Sequence, residues 1–262
     1  MKIILILSMG LFIGSINAQT IPSYIPTDSL VAWYPFNGNA NDESGNEYHS
    51  LSSEITYTND RYADINSALD LSSNVVQLPG DIFLYQREDS FTLSFWFTNE
   101  NNTINRRLVS TENPEGNFRI TSGQNNSIQI QFGDYDIVDL SNPTKWNHII
   151  YIFNGDVTPA NREELIYING RKLLESSSHS RGDIISETLN YGIPFALGAK
   201  ASSLVNDRWT GKFDDFGIWN RALSEEEVEN IYYEGNPPEV PSYLPTDSLV
   251  AYFSFEETIS DQ

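Results

Sequence analysis

Short stretches in which apolar and polar residues alternate recur along most of the chain. In FTLSFWF (91–97), the apolar side chains at odd positions alternate with two hydroxyl residues and Trp96. A period of two is typical of a β-strand with one apolar face. Similar runs, rich in β-branched and aromatic residues, lie at 29–36, 127–132, 146–154, 164–170 and 212–219.

Residue pairs that favour tight turns separate these runs. They are Asn37-Gly38, Gly116-Asn117, Asn154-Gly155 and Asn169-Gly170. Asn and Gly tolerate the positive φ angles that hairpin turns require. Many short strands joined by frequent turns predict an all-β fold, either a sandwich or a barrel.

One helix is predicted near the C-terminal end. Ser224 is a suitable N-cap, and Glu227 three residues later completes a capping box. Val228, Ile231 and Tyr232 then form an i, i+3, i+4 stripe, which is expected to dock on the sheet.

An internal repeat divides the chain. Pro22–Phe36 and Pro241–Phe255 are identical at 11 of 15 positions. The repeat predicts one domain over 21–235, a Pro-rich linker over 236–240, and the truncated start of a second copy over 241–262. We expect this chain to be a piece of a longer tandem protein. The strand that opens the second copy should be disordered, or should dock on a free sheet edge.

The first residues and the charge indicate export. Residues 1–18 combine a Lys with an apolar run and small residues before the expected cleavage point, which is typical of a secretory signal peptide. The alternative is a membrane anchor, but the run is shorter than a bilayer requires. The chain has no cysteine and a formal net charge of −21, without a basic cluster. It is therefore expected to be secreted or at the cell surface, without disulfides and without a nucleic-acid partner.

The order of these motifs resembles the LamG-like jelly-roll domains of the concanavalin A-like lectin/glucanase superfamily. The resemblance covers nearly all of the unit before the linker, and it implies a two-sheet antiparallel jelly-roll sandwich with one short C-terminal helix. The motifs that carry it are LVAWYPFNGNANDESGN, SALDLSSNVVQLP, SFTLSFWF, KWNHIIYIFNG, LIYINGRKL and WTGKFDDFGIWNRALSEEEVENIYYEG.

The Asn- and Asp-rich loop at 37–46 suits Ca²⁺, which prefers hard oxygen ligands. The resemblance implies a structural Ca²⁺ held by this loop and by an aspartate of the last strand. Alternation is expected to put Asp214 and Asp215 on opposite faces, so that only one of them is a ligand. The alternative is an ordinary turn whose side chains cap their own backbone. The expected ligands are Asn37, Gly38, Asp42 and Asp214.

No catalytic residue is predicted. Laminarinase-type members of the superfamily carry two glutamates and an aspartate alternating on one strand, and no such run exists here. Alginate-lyase-type members have a histidine on a polar strand, at the position of Gln131 in this chain. His148 lies two residues after Trp146, and we expect it to be a structural residue packed beside that ring.

Exposed aromatic residues are the candidates for ligand binding. Trp209 lies in a polar loop beside Arg208, and Tyr62 lies in NDRYAD. Such rings can stack on sugars, but each can equally pack on its own loop. The leading hypothesis is a non-catalytic module for carbohydrate binding or adhesion, with a polysaccharide or glycoprotein partner. The alternatives are a structural spacer of an adhesin, or an accessory domain of a polysaccharide-degrading enzyme whose catalytic part is not in this chain.

Overall fold

The computed structural model describes residues 21–83, 90–100, 103–113, 116–132, 134–155, 163–177 and 195–235. The predicted signal peptide, linker and second copy lie outside these ranges. No helix in the described ranges is long and apolar enough to cross a membrane.

The described ranges form fourteen strands, one short 3-10 helix and one α-helix. The strands are β1 Leu30–Tyr34, β2 Tyr57–Thr58, β3 Ala68–Asp70, β4 Val76–Leu78, β5 Phe91–Asn99, β6 Arg107–Asn113, β7 Gly116–Ser122, β8 Ser127–Phe132, β9 Asp134–Asp139, β10 Asn147–Asn154, β11 Glu163–Ile168, β12 Arg171–Ser177, β13 Phe195–Leu197 and β14 Gly211–Trp219. The 3-10 helix spans Gly80–Phe83, and the α-helix, α1, spans Glu225–Tyr233.

The strands build two antiparallel sheets. The larger one has the order β12-β11-β10-β5-β14-β3-β2, and β1 pairs with β14 beside β3. The smaller one has the order β4-β13-β6-β7-β8-β9. This arrangement confirms the predicted all-β jelly-roll sandwich with a single short helix.

The main core lies between the two sheets, where inward-facing aromatic rings pack against one another. Phe91, Phe95 and Phe97 belong to it, as the alternation of β5 predicts. The rings of Phe95 and Phe213 stack with centroids 4.4 Å apart. Burial of such apolar area is the dominant favourable contribution to folding in a chain without disulfides.

A second apolar layer lies on the outer face of the larger sheet. Trp33, Trp219 and Tyr167 pack there against Val228 and Ile231 of α1. The helix therefore covers this face, and every residue of β5 is buried on both sides of the sheet. The sequence predicts one strongly apolar face for β5, but it does not reveal that the polar face is covered as well.

The helix begins as predicted. The side chain of Ser224 accepts from the backbone N–H of Glu227, and the Glu227 carboxylate accepts from the backbone N–H of Ser224 at 2.8 Å. Near the other end, Tyr232 packs over the hairpin between β11 and β12. Asn169 and Gly170 both have positive φ in this turn, and a Cβ on Gly170 would lie 2.4 Å from the Tyr232 ring. A glycine is therefore required there.

Candidate functional site

A β-bulge in β14 brings two carboxylates together. Asp214 pairs with Trp96 and Gly217 pairs with Ser94, so β14 has one residue more than β5 in this interval. Asp215 adopts a φ of 48° within the bulge. The expectation that Asp214 and Asp215 point to opposite faces is wrong, because the bulge interrupts the alternation.

Arg61, from the turn between β2 and β3, joins both carboxylates. Its Nη1 donates to Asp214 Oδ2 and its Nη2 to Asp215 Oδ2, each at 2.7 Å. Nη2 also donates to the carbonyl oxygen of Gly235 at 3.0 Å. The Arg61 side chain is only 6% exposed. One guanidinium therefore connects the turn between β2 and β3, the central strand β14 and Gly235, two residues after α1.

The pKa values of Arg61, Asp214 and Asp215 are shifted by burial and by the presence of two acids for one cation. Burial lowers the pKa of Arg61, but the carboxylates of Asp215 and Asp214 outweigh it and hold that pKa above its ordinary value. Burial and the neighbouring Asp215 raise the pKa of Asp214 well above its usual range, and Arg61 offsets this only in part. Two acids share one cation, and burial raises the pKa of both acids, so the cluster binds a proton more readily than two exposed aspartates would.

Aromatic rings cover the Arg61 guanidinium on two sides. Its Cζ lies 4.6 Å from the ring centroid of Tyr62 and 4.6 Å from that of Trp96. Cation–π contacts of this kind are strongest when water is excluded. Trp96 also stacks on His148, with ring centroids 4.7 Å apart, and on Tyr232, with centroids 5.7 Å apart. A continuous stack thus runs from His148 through Trp96 and the guanidinium of Arg61 to Tyr62 at the surface.

Tyr62 ends this stack at the surface. It is 48% exposed, and its hydroxyl donates to the carbonyl oxygen of Gly235. Tyr233, two residues before Gly235, is 56% exposed. The Tyr62 ring is fixed by its hydroxyl and by the guanidinium behind it, so it presents a rigid aromatic surface to solvent.

The other two candidate ligand residues have different surroundings. Trp209 is 1% exposed, and its Nε1 donates to Asn99 Oδ1 at 3.0 Å. The expectation that Trp209 is exposed is wrong, because its ring fills space beside Phe213 in the main core. Arg208 is exposed and donates to the carbonyl oxygen of Ser73. Among the described residues, the contacts that hold Arg208 and Trp209 do not involve Tyr62.

His148 is structural, but its neighbours differ from those expected. Its ring stacks on Trp96 and Tyr232 rather than on Trp146, and its Nε2 lies 2.9 Å from the hydroxyl of Ser94. Burial, with a smaller contribution from the charge of Arg61, lowers the pKa of His148 to about 3. Ser94 and His148 are 1% and 2% exposed, so a substrate has no access to this pair.

The loop that suggested calcium is organised by Asp42 as a hydrogen-bond acceptor. Asp42 Oδ1 accepts from the backbone N–H groups of Trp33 and Ser44, each at 2.9 Å. Its Oδ2 accepts from the Ser44 hydroxyl at 2.9 Å and from the Tyr48 N–H at 3.0 Å. Gly38 has a φ of 74°, and the carbonyl oxygen of Asn37 accepts from the side chain of Asn39. These contacts match the alternative of a self-capped turn.

The expected ligands do not fit Ca²⁺ as they are arranged. Both oxygens of Asp42 are occupied by donors, and Asp214 is bound by Arg61. A cation attracts oxygen acceptors, whereas donors surround these two carboxylates. Within the described ranges, no group of three or more acidic or histidine side chains is arranged to hold a metal ion. Calcium binding by the chain stays a prediction of the resemblance.

A second polar surface lies on the outward face of the smaller sheet, which sequence reasoning did not single out as a site. Arg119 of β7 pairs with Gln131 of β8, and Thr121 pairs with Gln129. Arg119, Gln129 and Gln131 are half-buried, and Ile137 on neighbouring β9 is 60% exposed. Alternation along β8 predicts this face, since Ile128 and Ile130 point into the core.

Comparisons with known proteins agree with this architecture. A family model described as "Concanavalin A-like lectin/glucanases superfamily" (Laminin_G_3) matches residues 70–229. A search of curated proteins found no match.

Similar solved structures include two binding domains and one domain of an extracellular enzyme. The botulinum neurotoxin serotype D binding domain is 14% identical, with a TM-score of 0.58, over 80% of this chain and 51% of its own. The binding domain of Paraclostridial Mosquitocidal Protein 1 is 20% identical, with a TM-score of 0.56, over 80% and 53%. This chain spans about half the length of both.

The third is Domain 4 of AbnA, a GH43 extracellular arabinanase from Geobacillus stearothermophilus, in complex with arabinotriose. It is 18% identical, with a TM-score of 0.57, over 78% of this chain and 98% of its own. At these identities the likeness establishes the fold alone.

Proposed function

The chain belongs to the concanavalin A-like lectin/glucanases superfamily, and we propose that it is a non-catalytic module that binds carbohydrate outside the cell. Its partner is a polysaccharide or the glycan of a glycoprotein, and one outcome of binding is adhesion. The rigid, half-exposed ring of Tyr62 carries this proposal.

Tyr62 has the properties of a platform for a sugar ring. Sugar sites combine an aromatic surface with a small number of polar groups that fix orientation. The hydroxyl of Tyr62 is held by Gly235 and one ring face by Arg61, so little conformational freedom remains to be lost on binding. Preorganisation of this kind favours affinity because the entropic cost is met during folding. Tyr233 adds a second exposed ring near the same carbonyl.

The charge behind the ring favours a neutral ligand. Arg61 lies against one face of Tyr62, and a cation on the opposite face would meet an aromatic ring already polarised by a guanidinium. The apolar face of a sugar ring carries no charge, so the guanidinium of Arg61 does not repel it. We therefore assign neutral sugars, rather than cationic peptides, to this surface.

The absence of catalysis is part of the proposal. The Ser94–His148 pair is enclosed beneath α1, and the lowered pKa of His148 makes it a poor general base at neutral pH. Asp214 and Asp215 are both ion-paired with the buried Arg61, so their carboxylates face a cation of the protein rather than a substrate. The binding domains and the enzyme-associated Domain 4 among the similar structures support a binding role.

Secretion and repetition fit this role. A signal peptide over 1–18 would export the chain, and a second copy after the linker would add a second binding surface. Linked modules bind more tightly than single ones because the second event is intramolecular. Domain 4 of AbnA, whose whole length is nearly covered, makes an accessory domain of a polysaccharide-degrading enzyme the second candidate.

A glycan array of plant and algal polysaccharides tests the proposal. The wild-type chain should be retained on at least one glycan, and retention should be lost in Tyr62→Ala. Gln131→Ala serves as the comparison for the outward face of the smaller sheet. Loss in Gln131→Ala with retention in Tyr62→Ala would keep the module function but overturn the Tyr62 site. No retention of the wild type on any glycan would favour the structural spacer.

A further inference from the structure

We propose that the position of β1 in the larger sheet accepts either of two segments of this chain. The first segment is residues 22–36, which contain β1, and the second segment is residues 241–255. The two are identical at 11 of 15 positions. The second segment lies outside the described ranges, so its sequence is compared with the contacts that the first segment makes. The inference does not depend on the proposed function.

β1 is held at the edge of a sheet. In the described ranges it pairs with β14 and with no other strand. An edge strand leaves by breaking one ladder, and exchange of an identical element is a low-cost route to a second arrangement. Asn37 and Gly38, which follow the first segment, are exposed, so the displaced residues have a path into solvent.

The buried side chains of the first segment recur in the second. Three buried positions are identical in both, namely Leu30/Leu249, Ala32/Ala251 and Phe36/Phe255. Ser29 and Phe36 adopt φ angles of 59° and 52°, and the same residue types stand at 248 and 255. The second segment therefore fits both the core contacts and the uncommon backbone angles of the first.

Donors of the domain anchor the first segment through its backbone. Trp219 Nε1 donates to the carbonyl oxygen of Pro26 at 2.7 Å. On the edge away from β14, Asn46 Nδ2 donates to the carbonyl oxygen of Val31 at 2.9 Å. Because these acceptors belong to the backbone, they do not depend on which of the two segments supplies them.

The positions that differ make the first segment the preferred occupant. Tyr34 donates its hydroxyl to the carbonyl oxygen of Tyr48, whereas its counterpart Phe253 has no hydroxyl. Trp33 is 2% exposed, and its counterpart Tyr252 has a smaller ring. Both replacements are smaller, so neither overpacks the core. The second segment should therefore fit the β1 position with fewer contacts than the first.

The second segment can reach the β1 position of its own chain. A Cβ on Gly235 would lie 3.1 Å from the Tyr24 ring, so the described domain ends beside the start of the first segment. The counterpart of Tyr24 is Tyr243, eight positions after Gly235. Eight extended residues span up to about 26 Å, which is far more than this distance. A short linker also gives the second segment a high effective concentration there.

Thermal melting of the whole chain with aspartate substitutions tests the exchange. Ala32 is fully buried in the main core, so Ala32→Asp should exclude the first segment. The second segment should then replace it, and the Tm should fall by less than about 10 °C. Ala32→Asp combined with Ala251→Asp should lose its cooperative transition, because neither segment then fits. Ala251→Asp alone should melt as wild type does.

Two further variants separate exchange from a general effect of the tail. Thr258→Asp adds the same charge outside the repeat, and it should not change the Tm of Ala32→Asp. Phe253→Tyr restores the hydroxyl that Tyr34 donates to Tyr48. It should raise the Tm of Ala32→Asp and leave the Tm of the otherwise unchanged chain as it is. Light scattering should show that Ala32→Asp is a monomer.

Three results would overturn the inference. The first is an Ala32→Asp chain that does not fold, with or without Phe253→Tyr. The second is an Ala32→Asp chain that folds and loses nothing more when Ala251→Asp is added, because the second segment would then not occupy the β1 position. The third is a folded Ala32→Asp chain that is a dimer, because the second segment would then enter a neighbouring chain rather than its own.

Discussion

The guanidinium of Arg61 and the carboxylate of Asp214 meet at 2.7 Å, although 153 positions separate them in the sequence. Arg61 lies in a surface turn and Asp214 on a central strand. Their contact also brings in Asp215, Trp96 and Gly235. The exposed Tyr62 platform rests on this buried cluster, so the stability of the fold and the geometry of the proposed sugar site have a common origin.

The unequal charges of this cluster predict unequal effects of mutation. Arg61→Ala leaves two buried carboxylates without their cation, and we expect it to reduce the free energy of unfolding by about 3–5 kcal/mol. Asp215→Asn should cost about 1 kcal/mol or less, because Arg61 keeps Asp214 and an asparagine tolerates the φ of 48°. Urea unfolding of both variants in EDTA measures the difference. Equal losses would contradict the assignment of Arg61 as the central cation.

Two aromatic residues that look alike in the sequence should contribute very differently to the free energy of unfolding. Trp209 is buried in the core and Tyr62 is half-exposed. Trp209→Ala should therefore lower the free energy of unfolding by about 3–5 kcal/mol through the cavity it leaves. Tyr62→Ala should cost less, about 1–2 kcal/mol, because it removes a hydrogen bond to Gly235 and a cation–π contact with Arg61 but leaves no cavity in the core. Denaturant unfolding checks both values, and a mild effect of Trp209→Ala would contradict its burial.

His148 makes the protein sensitive to acid. Its pKa is about 3 in the folded state and about 6.5 in the unfolded chain, so between these values the unfolded chain binds a proton that the folded chain does not. The free energy of unfolding should therefore fall as the pH drops from 6.5 toward 3, by up to about 1.4 kcal/mol per pH unit. The loss is absent above pH 6.5.

The variant His148→Gln isolates this effect. Asp214 and Asp215 act in the opposite direction, because burial raises the pKa of each and the folded state then takes up protons first. The difference between wild type and His148→Gln cancels their contribution. Urea unfolding between pH 4 and pH 8 should give a shallower acid slope for the variant. Identical slopes would show that His148 is not buried in its neutral form.

Asp42 should be a structural residue of the first loop. Asp42→Ala leaves the N–H groups of Trp33, Ser44 and Tyr48 without their acceptor. The bond from Trp33 is buried and the other two are part-buried, and an unsatisfied buried donor costs about 1–3 kcal/mol, so a total loss of about 2 kcal/mol or more is expected in urea unfolding. Asp139→Ala, at an exposed position of β9, is the control for charge alone. If the loss in Asp42→Ala were as small as in the control, the capping role would be wrong.

Local patterns were sufficient for much of the fold. The alternation along β5 and the Ser224–Glu227 capping box are properties of neighbouring residues, and both appear in the structure as predicted. The hairpin at Asn169-Gly170 is of the same kind. Strand alternation, helix caps and tight turns each depend on a few neighbouring residues. Patterns of this kind therefore suffice to predict an all-β fold with one helix.

The candidate site is harder to predict from the sequence than the fold. The sequence predicts Tyr62 as a candidate, but Arg61 beside it carries no local signal, because its described hydrogen-bond partners Asp214, Asp215 and Gly235 are distant in the chain. The bulge that aims Asp214 and Asp215 at the same cation breaks the alternation on which strand prediction relies. The prediction that Trp209 is exposed is wrong, because a polar loop gives no sign that one of its rings enters the core.

Affinity electrophoresis is the sharpest test of carbohydrate binding through Tyr62. The wild-type chain, Tyr62→Ala and the surface control Leu51→Ala would be run in gels that contain arabinan, laminarin or alginate. Leu51 is 61% exposed, and none of its described contacts involves Tyr62, Arg61 or Gly235. We expect at least one polysaccharide to retard wild type and Leu51→Ala, whereas Tyr62→Ala should migrate as it does without polysaccharide. Equal retardation of all three proteins, or retardation of none, would show that Tyr62 does not form a carbohydrate site.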